Sequence, residues 1–257
     1  MSQRRGKVVI VGAGPGDPEL ITVKGLKALR EADVVIYDRL IPKDLLSEVK
    51  PGCKLIFAGK SPGRHELEQE EINRLLVQNA SAGLNVVRLK GGDPYTFGRG
   101  EEECEYVIAH GIPCEVIPGV PSYVGAAAYA GMPLAGRVYG SSFAVVTGHV
   151  AGGKKEFEDY LSRLSGLARH VDNIVILMGA STARVVLEVI ASVRGRDAPA
   201  AVVMNATTGS QVTIAGTIDE LLSEAERGTI RSPAVIIVGP AALARGKLWR
   251  ADAGSST

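Results

Sequence analysis

Val8-Val9-Ile10-Val11-Gly12-Ala13-Gly14-Pro15-Gly16-Asp17-Pro18 is a β-branched run that stops abruptly in a glycine-rich turn. Glycines directly after a strand let the backbone approach a ligand closely. Beyond the turn, Leu20, Val23, Leu26 and Leu29 recur at a spacing of three, which predicts a helix with one buried face. The pattern then repeats. Ala32–Tyr37, Lys54–Ala58, Asn85–Leu89 and Pro113–Ile117 read as strands, and Ile72, Leu75, Leu76 and Ala80 give another helical stripe. Such alternation implies a mainly parallel sheet covered by helices.

After Arg137 the pattern changes. Strands are expected at Phe143–Thr147, Asn173–Met178, Ala201–Asn205, Gln211–Ala215 and Ala234–Val238, and Val185, Val186, Val189, Ile190 and Val193 define an amphipathic helix. The segment Ala206-Thr207-Thr208-Gly209-Ser210 joins two of these strands as a hairpin, so the second sheet is mixed. The fold class is therefore α/β, with two α/β domains of mixed, mainly parallel sheets and an inter-domain cleft in which ligands would bind. The expected boundaries are 1–137 and 138–250, with 251–257 a disordered tail.

Composition narrows the function. The 257 residues are 46% hydrophobic and 22% charged, and 29 basic against 28 acidic side chains leave a net charge of +1. No global field exists to hold a nucleic acid. Cys53, Cys104 and Cys114 are odd in number and lack CxxC spacing, which points to reduced thiols in the cytoplasm. The histidines at 65, 110, 149 and 170 are scattered, so no metal site is expected. Residues 116–136 carry no charge, but Pro118, Pro121 and Pro133 interrupt them, so a buried helix is expected there and no membrane partner. The N-terminus lacks the apolar core of a signal peptide.

The first turn invites a dinucleotide-binding reading, with Asp38 at the end of the second strand as the ribose-binding acid. Asp17 stands where the third glycine belongs, and Pro15 and Pro18 stiffen the loop. A nucleotide-dependent oxidoreductase is thereby disfavoured, as is a plain scaffold, which has no use for glycine loops.

The run Gly12 to Thr22 followed by Lys24-Gly25-Leu26 resembles the opening of the tetrapyrrole methylases. Four further stretches extend the resemblance to the branch that methylates uroporphyrinogen III. They are Tyr37-Asp38-Arg39-Leu40, Gly59-Lys60, Gln69-Glu70-Glu71-Ile72-Asn73, and Gly91-Gly92-Asp93-Pro94 through Phe97-Gly98-Arg99-Gly100-Glu101-Glu102. The resemblance implies C-methylation of uroporphyrinogen III at C-2 and C-7 to give precorrin-2, with S-adenosylmethionine as methyl donor, in a homodimer. A methylase of a later corrin precursor such as precorrin-4 is the alternative.

By the same resemblance, cofactor contacts fall on Pro15, Gly91, Gly92, Asp93, Thr96, Pro121, Ser122, Met178 and Ala206. Proton acceptor and donor roles fall on Asp38 and Lys60, and substrate carboxylates on Arg39, Arg64, Arg99 and Arg137. Chemically, a carboxylate at a glycine turn suits the ammonium group of the cofactor while loop amides take its carboxylate. Met178 is alternatively core packing, and Asp38 alternatively an ion-pair partner of Arg39 or Lys60. Glu101, Glu102 and Glu103 suit the N-terminal dipole of the next helix. The family usually has Thr, His and Gly where this chain has Ala135, Gly136 and Ala206, and Thr where it has Pro121.

Overall fold

The computed structural model describes residues 6–59, 68–149 and 152–248. The chain divides into two compact units, Met1–Ser122 and Tyr123–Thr257. In the first, β1 (Lys7–Gly12), β2 (Val34–Tyr37), β3 (Lys54–Phe57), β4 (Asn85–Lys90) and β5 (Cys114–Ile117) form one sheet in the order β3-β2-β4-β1-β5. Every pairing in it is parallel.

Strand alternation sends Val9, Val11, Val35, Val87 and Leu89 to one face, where they meet Leu29 of α1 (Val23–Glu31). Val8, Ile10, Val34, Ile36 and Val86 go to the other, against α2 (Gln69–Ser81) and α3 (Gly100–Ala109). Both faces are covered, as a parallel sheet requires. The connection out of β1 runs past β4 toward β2, while that out of β4 runs past β1 toward β5 and packs its helix on the opposite face. Neighbouring strands whose connections part in this way leave a crevice at their carboxyl ends, the usual binding place in open α/β sheets.

The second unit carries a sheet in the order β6-β7-β10-β8-β9, formed by β6 (Phe143–Thr147), β7 (Asn173–Leu177), β8 (Pro199–Met204), β9 (Val212–Thr217) and β10 (Ala234–Val238). Only β6 and β7 run parallel; β8 and β9 form the expected hairpin. On one face lie α5 (Lys154–His170), α6 (Ala183–Arg194) and α7 (Ile218–Glu226). The other face packs on Ala126 and Ala127 of α4 (Ser122–Tyr129), on Ala130, Met132 and Leu134, and on Ala241 and Ala242. That packing explains why the units part after Ser122, ahead of the 137/138 boundary expected from the sequence. The uncharged α4 segment supplies one side of the second core. Among the described residues no helix is long and apolar enough to cross a membrane.

Asn173 pins the start of β7. Fully buried, it donates to the Leu134 and Tyr139 carbonyls at 2.9 and 2.8 Å and accepts from the Ala241 amide at 2.9 Å.

At the carboxyl edge of the first sheet the backbone itself is crowded. A Cβ on Gly12 would stand 2.5 Å from the Gly119 nitrogen and 2.7 Å from the Gly92 carbonyl oxygen. Because both obstacles, like the Gly119 Cα at 2.6 Å, are main chain, Gly12→Ala should destabilise the protein by about 1–3 kcal/mol. Urea unfolding measures this, and an unchanged midpoint would show that the loops yield.

Candidate functional site

The loops after β1 and β4 are joined by a short antiparallel bridge. Gly92 donates to the Gly14 carbonyl at 2.7 Å, Gly14 donates back to Gly92 at 3.2 Å, and Ala13 donates to Lys90 at 2.8 Å. Gly14 and Gly92 meet the bridge with φ of +82° and +67°, which an L side chain adopts only under strain. The Gly92 amide is therefore committed to Gly14 rather than open to a ligand, as the sequence had suggested.

The first turn also differs from a dinucleotide cradle in its continuation. Asp17 accepts from the Glu19 amide at 2.9 Å and caps a 3-10 turn, Pro18–Leu20. Helix α1 starts only afterwards, with Thr22 as its N-cap accepting from Gly25 at 3.0 Å. Close helix–strand packing falls to Gly25, where a Cβ would lie 2.9 Å from Val11.

Asp93 ties its own loop together. One carboxylate oxygen accepts from the Tyr95 amide at 3.1 Å and the Thr96 hydroxyl at 2.9 Å, and the other accepts from the Gly119 amide at 3.1 Å. It thus locks the β4 loop to the β5 loop, just before Pro121 and Ser122. Further along, Phe97 and Arg99 both take positive φ, 56° and 58°. Arg99 then caps α3 and chelates Glu102, at 2.9 Å through Nε and 2.7 Å through Nη2. The Arg99 guanidinium holds the Glu102 carboxyl below its ordinary range.

Asp38 follows β2 at the same edge, its side chain 32% exposed. Among the described residues it pairs with Arg88 of β4, at 2.5 Å, rather than with the adjacent Arg39, while Lys60 lies outside the described residues. Arg88, itself 2% exposed, also donates through Nε to Glu103 of α3 at 3.0 Å, and Lys90 donates to the same Glu103 oxygen at 3.0 Å. Gln69 adds a third contact to that oxygen at 3.2 Å, besides bonding Asn73. Arg88 and Lys90 lie two residues apart on the α2/α3 face of β4, so both need an anion from above. Burial opposes the charge on Arg88, but Asp38 and Glu103 outweigh it and raise the guanidinium above its ordinary range. Burial and then Arg88 lower the Lys90 ammonium. Glu103 is therefore a buried ion, not a dipole-facing surface charge like Glu101 and Glu102.

The sequence reading assigns Arg88 and Lys90 no role and gives Glu103 only a helix-dipole role. The available signal was a basic residue at alternate positions inside an otherwise apolar strand. Arg39 and Arg137 are exposed, while Lys60 and Arg64 lie outside the described residues.

In the second unit, Met178 follows β7 with φ +53° and is 50% exposed, so it is not core. Ala206 is buried after β8 between Asn205 and Thr207, which take φ of +47° and +65°. All five described non-glycine residues with positive φ thus fall in loops that follow a strand's carboxyl end. Each such residue costs about 1–3 kcal/mol, a cost that concentrates at binding sites. No group of three or more His, Cys, Asp or Glu suited to a metal occurs among the described residues.

Residues 7–222 match the family model of the Tetrapyrrole (Corrin/Porphyrin) Methylases. This chain belongs to that family. A uroporphyrinogen-III C-methyltransferase of Methanocaldococcus jannaschii is 49% identical over 236 residues, covering 91% of this tetrapyrrole methylase and 96% of the relative. A uroporphyrin-III C-methyltransferase of Thermus thermophilus, solved with S-adenyl homocysteine, is 38% identical with a TM-score of 0.75, covering 92% of this chain and 98% of that one. A solved cobalt precorrin-4 methyltransferase is 32% identical with a TM-score of 0.80, covering 92% and 95%.

Glu103→Gln in this methylase would leave Arg88 and Lys90 sharing the half-exposed Asp38 alone. Breaking a buried ion cluster from one side typically costs about 3–5 kcal/mol. Urea unfolding should register a loss of that order, and a loss below about 1 kcal/mol would mean that solvent already screens the cluster.

Proposed function

We infer that this chain transfers methyl groups from S-adenosylmethionine to C-2 and C-7 of uroporphyrinogen III, giving precorrin-2. The observation that carries the reading is the 49% identity to the Methanocaldococcus jannaschii enzyme across 91% of the chain. Fold similarity does not choose among methylases. The precorrin-4 enzyme gives the higher TM-score, 0.80 against 0.75, yet the lower identity, 32% against 38%. Substrate choice resides in side chains, so identity is the better guide.

S-adenosylmethionine supplies an electrophilic methyl group on a sulfonium. The edge of the first sheet fits such a ligand, since the connections out of neighbouring strands β1 and β4 leave a crevice there. A Cβ on Gly91 would come within 3.3 Å of Leu40, and one on Gly92 within 3.5 Å of the Ser122 nitrogen. Pro15, Gly91, Gly92, Thr96, Pro121 and Ser122 are assigned to the cofactor, with Met178 and Ala206 as the second unit's candidates. Asp93 contributes by holding the loop, because its carboxylate already serves three donors.

Asp38 is assigned the proton that the ring releases as it rearranges, and Lys60 its return. Arg39, Arg64, Arg99 and Arg137 are assigned to substrate carboxylates, each charge-assisted contact contributing about 1.5–3 kcal/mol. Most of the rate enhancement then comes from placing reactants in line and from fixed charges. The reading includes no metal, a cytoplasmic homodimer, and service to sirohaem or cobalamin synthesis.

Incubation with S-adenosylmethionine and freshly made uroporphyrinogen III should yield a dimethylated tetrapyrrole, preceded by a monomethylated one. Mass analysis checks this. Labelled methyl groups appearing only in a later corrin precursor would favour the alternative. Asp38→Asn should lower turnover by ~10²–10⁴-fold with little change in cofactor affinity. Near-normal turnover in the folded variant would remove Asp38 from the chemistry but leave the methyltransferase reading standing.

A further inference from the structure

We propose that Arg88 is a positioning residue for Asp38, and that Glu103 fixes Arg88 in turn. The proposal rests on the methyltransferase reading and adds to it residues that make no use of solvent or ligand themselves.

A carboxylate at the start of a loop, one-third open to solvent, would ordinarily turn about two side-chain torsions. Asp38 is instead anchored at one oxygen by Arg88 Nη2 at 2.5 Å, while its other oxygen stands 3.9 Å from Lys90. The anchor is rigid. Arg88 Nε is held by Glu103 at 3.0 Å, Nη1 by the Ile36 carbonyl at 3.4 Å, and the whole side chain is buried to 2% exposure. A planar fork can bond two carboxylates in fixed directions, which an ammonium cannot.

Glu103 gives a second indication. It is wholly buried, yet one of its oxygens takes contacts from Arg88, Lys90 and Gln69 while the other, Oε2, finds no partner among the described residues. A pair serving stability alone gains nothing from an orphan oxygen, since satisfied buried groups are the rule and an apolar replacement would cost less. The arrangement makes sense if the guanidinium's direction matters. Glu103 balances Arg88 and Lys90 from the α3 side, leaving Arg88 free to point its far end at Asp38.

The test is turnover of R88K, D38N and the double variant D38N/R88K with uroporphyrinogen III and S-adenosylmethionine. Arg88→Lys keeps the charge and removes the fork. It should lower kcat by about 10–100-fold, the scale of a misplaced catalytic group. With kcat expressed per folded molecule, KM for the tetrapyrrole and the calorimetric affinity for the cofactor should change less than about threefold, which places the loss in the chemical step. In the D38N background, R88K should cost no more than about threefold further, because its effect passes through the missing carboxylate. If R88K does not fold, R88M/E103Q removes one buried charge of each sign and is expected to show the same loss and the same coupling to D38N. Normal kcat in R88K, or losses that multiply in the double variant, would overturn the proposal alone. Full turnover in D38N would overturn it together with the role of Asp38, and an inactive wild type would overturn it together with the methyltransferase reading.

Discussion

Two cations under one helix are the constraint on which the first unit turns. Arg88 and Lys90 share the face of β4 that α3 covers, and each ion moved out of water costs several kcal/mol even after relaxation. Glu103, wholly buried on α3, and Asp38, at the end of β2, bring the cluster to neutrality. The bond from β4 to α3 consequently sets where that helix can sit. It also sets the span of the loop between them, which contains Gly91, Gly92, Asp93 and Arg99. A hydrophobic pair would hold the helix as well, but it would not end in a carboxylate at the sheet's edge.

Backbone contact does for the neighbouring loops what charge does for α3. Gly12, Gly92 and Gly119 approach so closely that a methyl group on Gly12 meets only main chain. Asp93 then ties the β4 loop to Gly119 with a side chain, so the loops after β1, β4 and β5 are bonded to one another. The second unit shows the same economy of means differently. There, strain marks the strand ends, with Met178, Asn205 and Thr207 all in left-handed backbone, and a β-branched residue such as Thr207 is the least suited to it.

Period and punctuation made the fold legible in the sequence. Alternating β-branched runs and helical stripes located the strands and helices, and the hairpin at 206–210 disclosed the antiparallel part of the second sheet. The unit boundary was harder to read, because an uncharged alanine-rich segment such as 122–134 looks alike whether it links two cores or completes one. At the candidate site, glycines were visible because each turn needs them. The partner of Asp38 was not. Local sequence offered Arg39, while the actual partner lies fifty positions away and is brought alongside by the β2–β4 register, in which Ile36 faces Arg88. Likewise the Gly92 amide looked available only because its acceptor, Gly14, belongs to a different loop.

The split between backbone and side chain also bears on how one fold accommodates different tetrapyrroles. The strand ends that the reading assigns to the cofactor are shaped by glycine and main-chain bonds, which many sequences can reproduce. Of the groups assigned to the substrate, Arg39 and Arg137 are exposed outside the helices and strands, where a change perturbs little else, while Arg99 also caps α3 and holds Glu102. Similarity in fold to a precorrin-4 enzyme at a TM-score of 0.80, despite only 32% identity, is what such a division would produce. Asp38 belongs to neither class. Half-exposed like a substrate-facing group, it is wired through Arg88 to the buried Glu103, so a change there is felt by the helix that carries the β4 loop. A residue coupled in this way can be exchanged only together with its supports, whereas exposed side chains such as Arg39 and Arg137 can be exchanged one at a time.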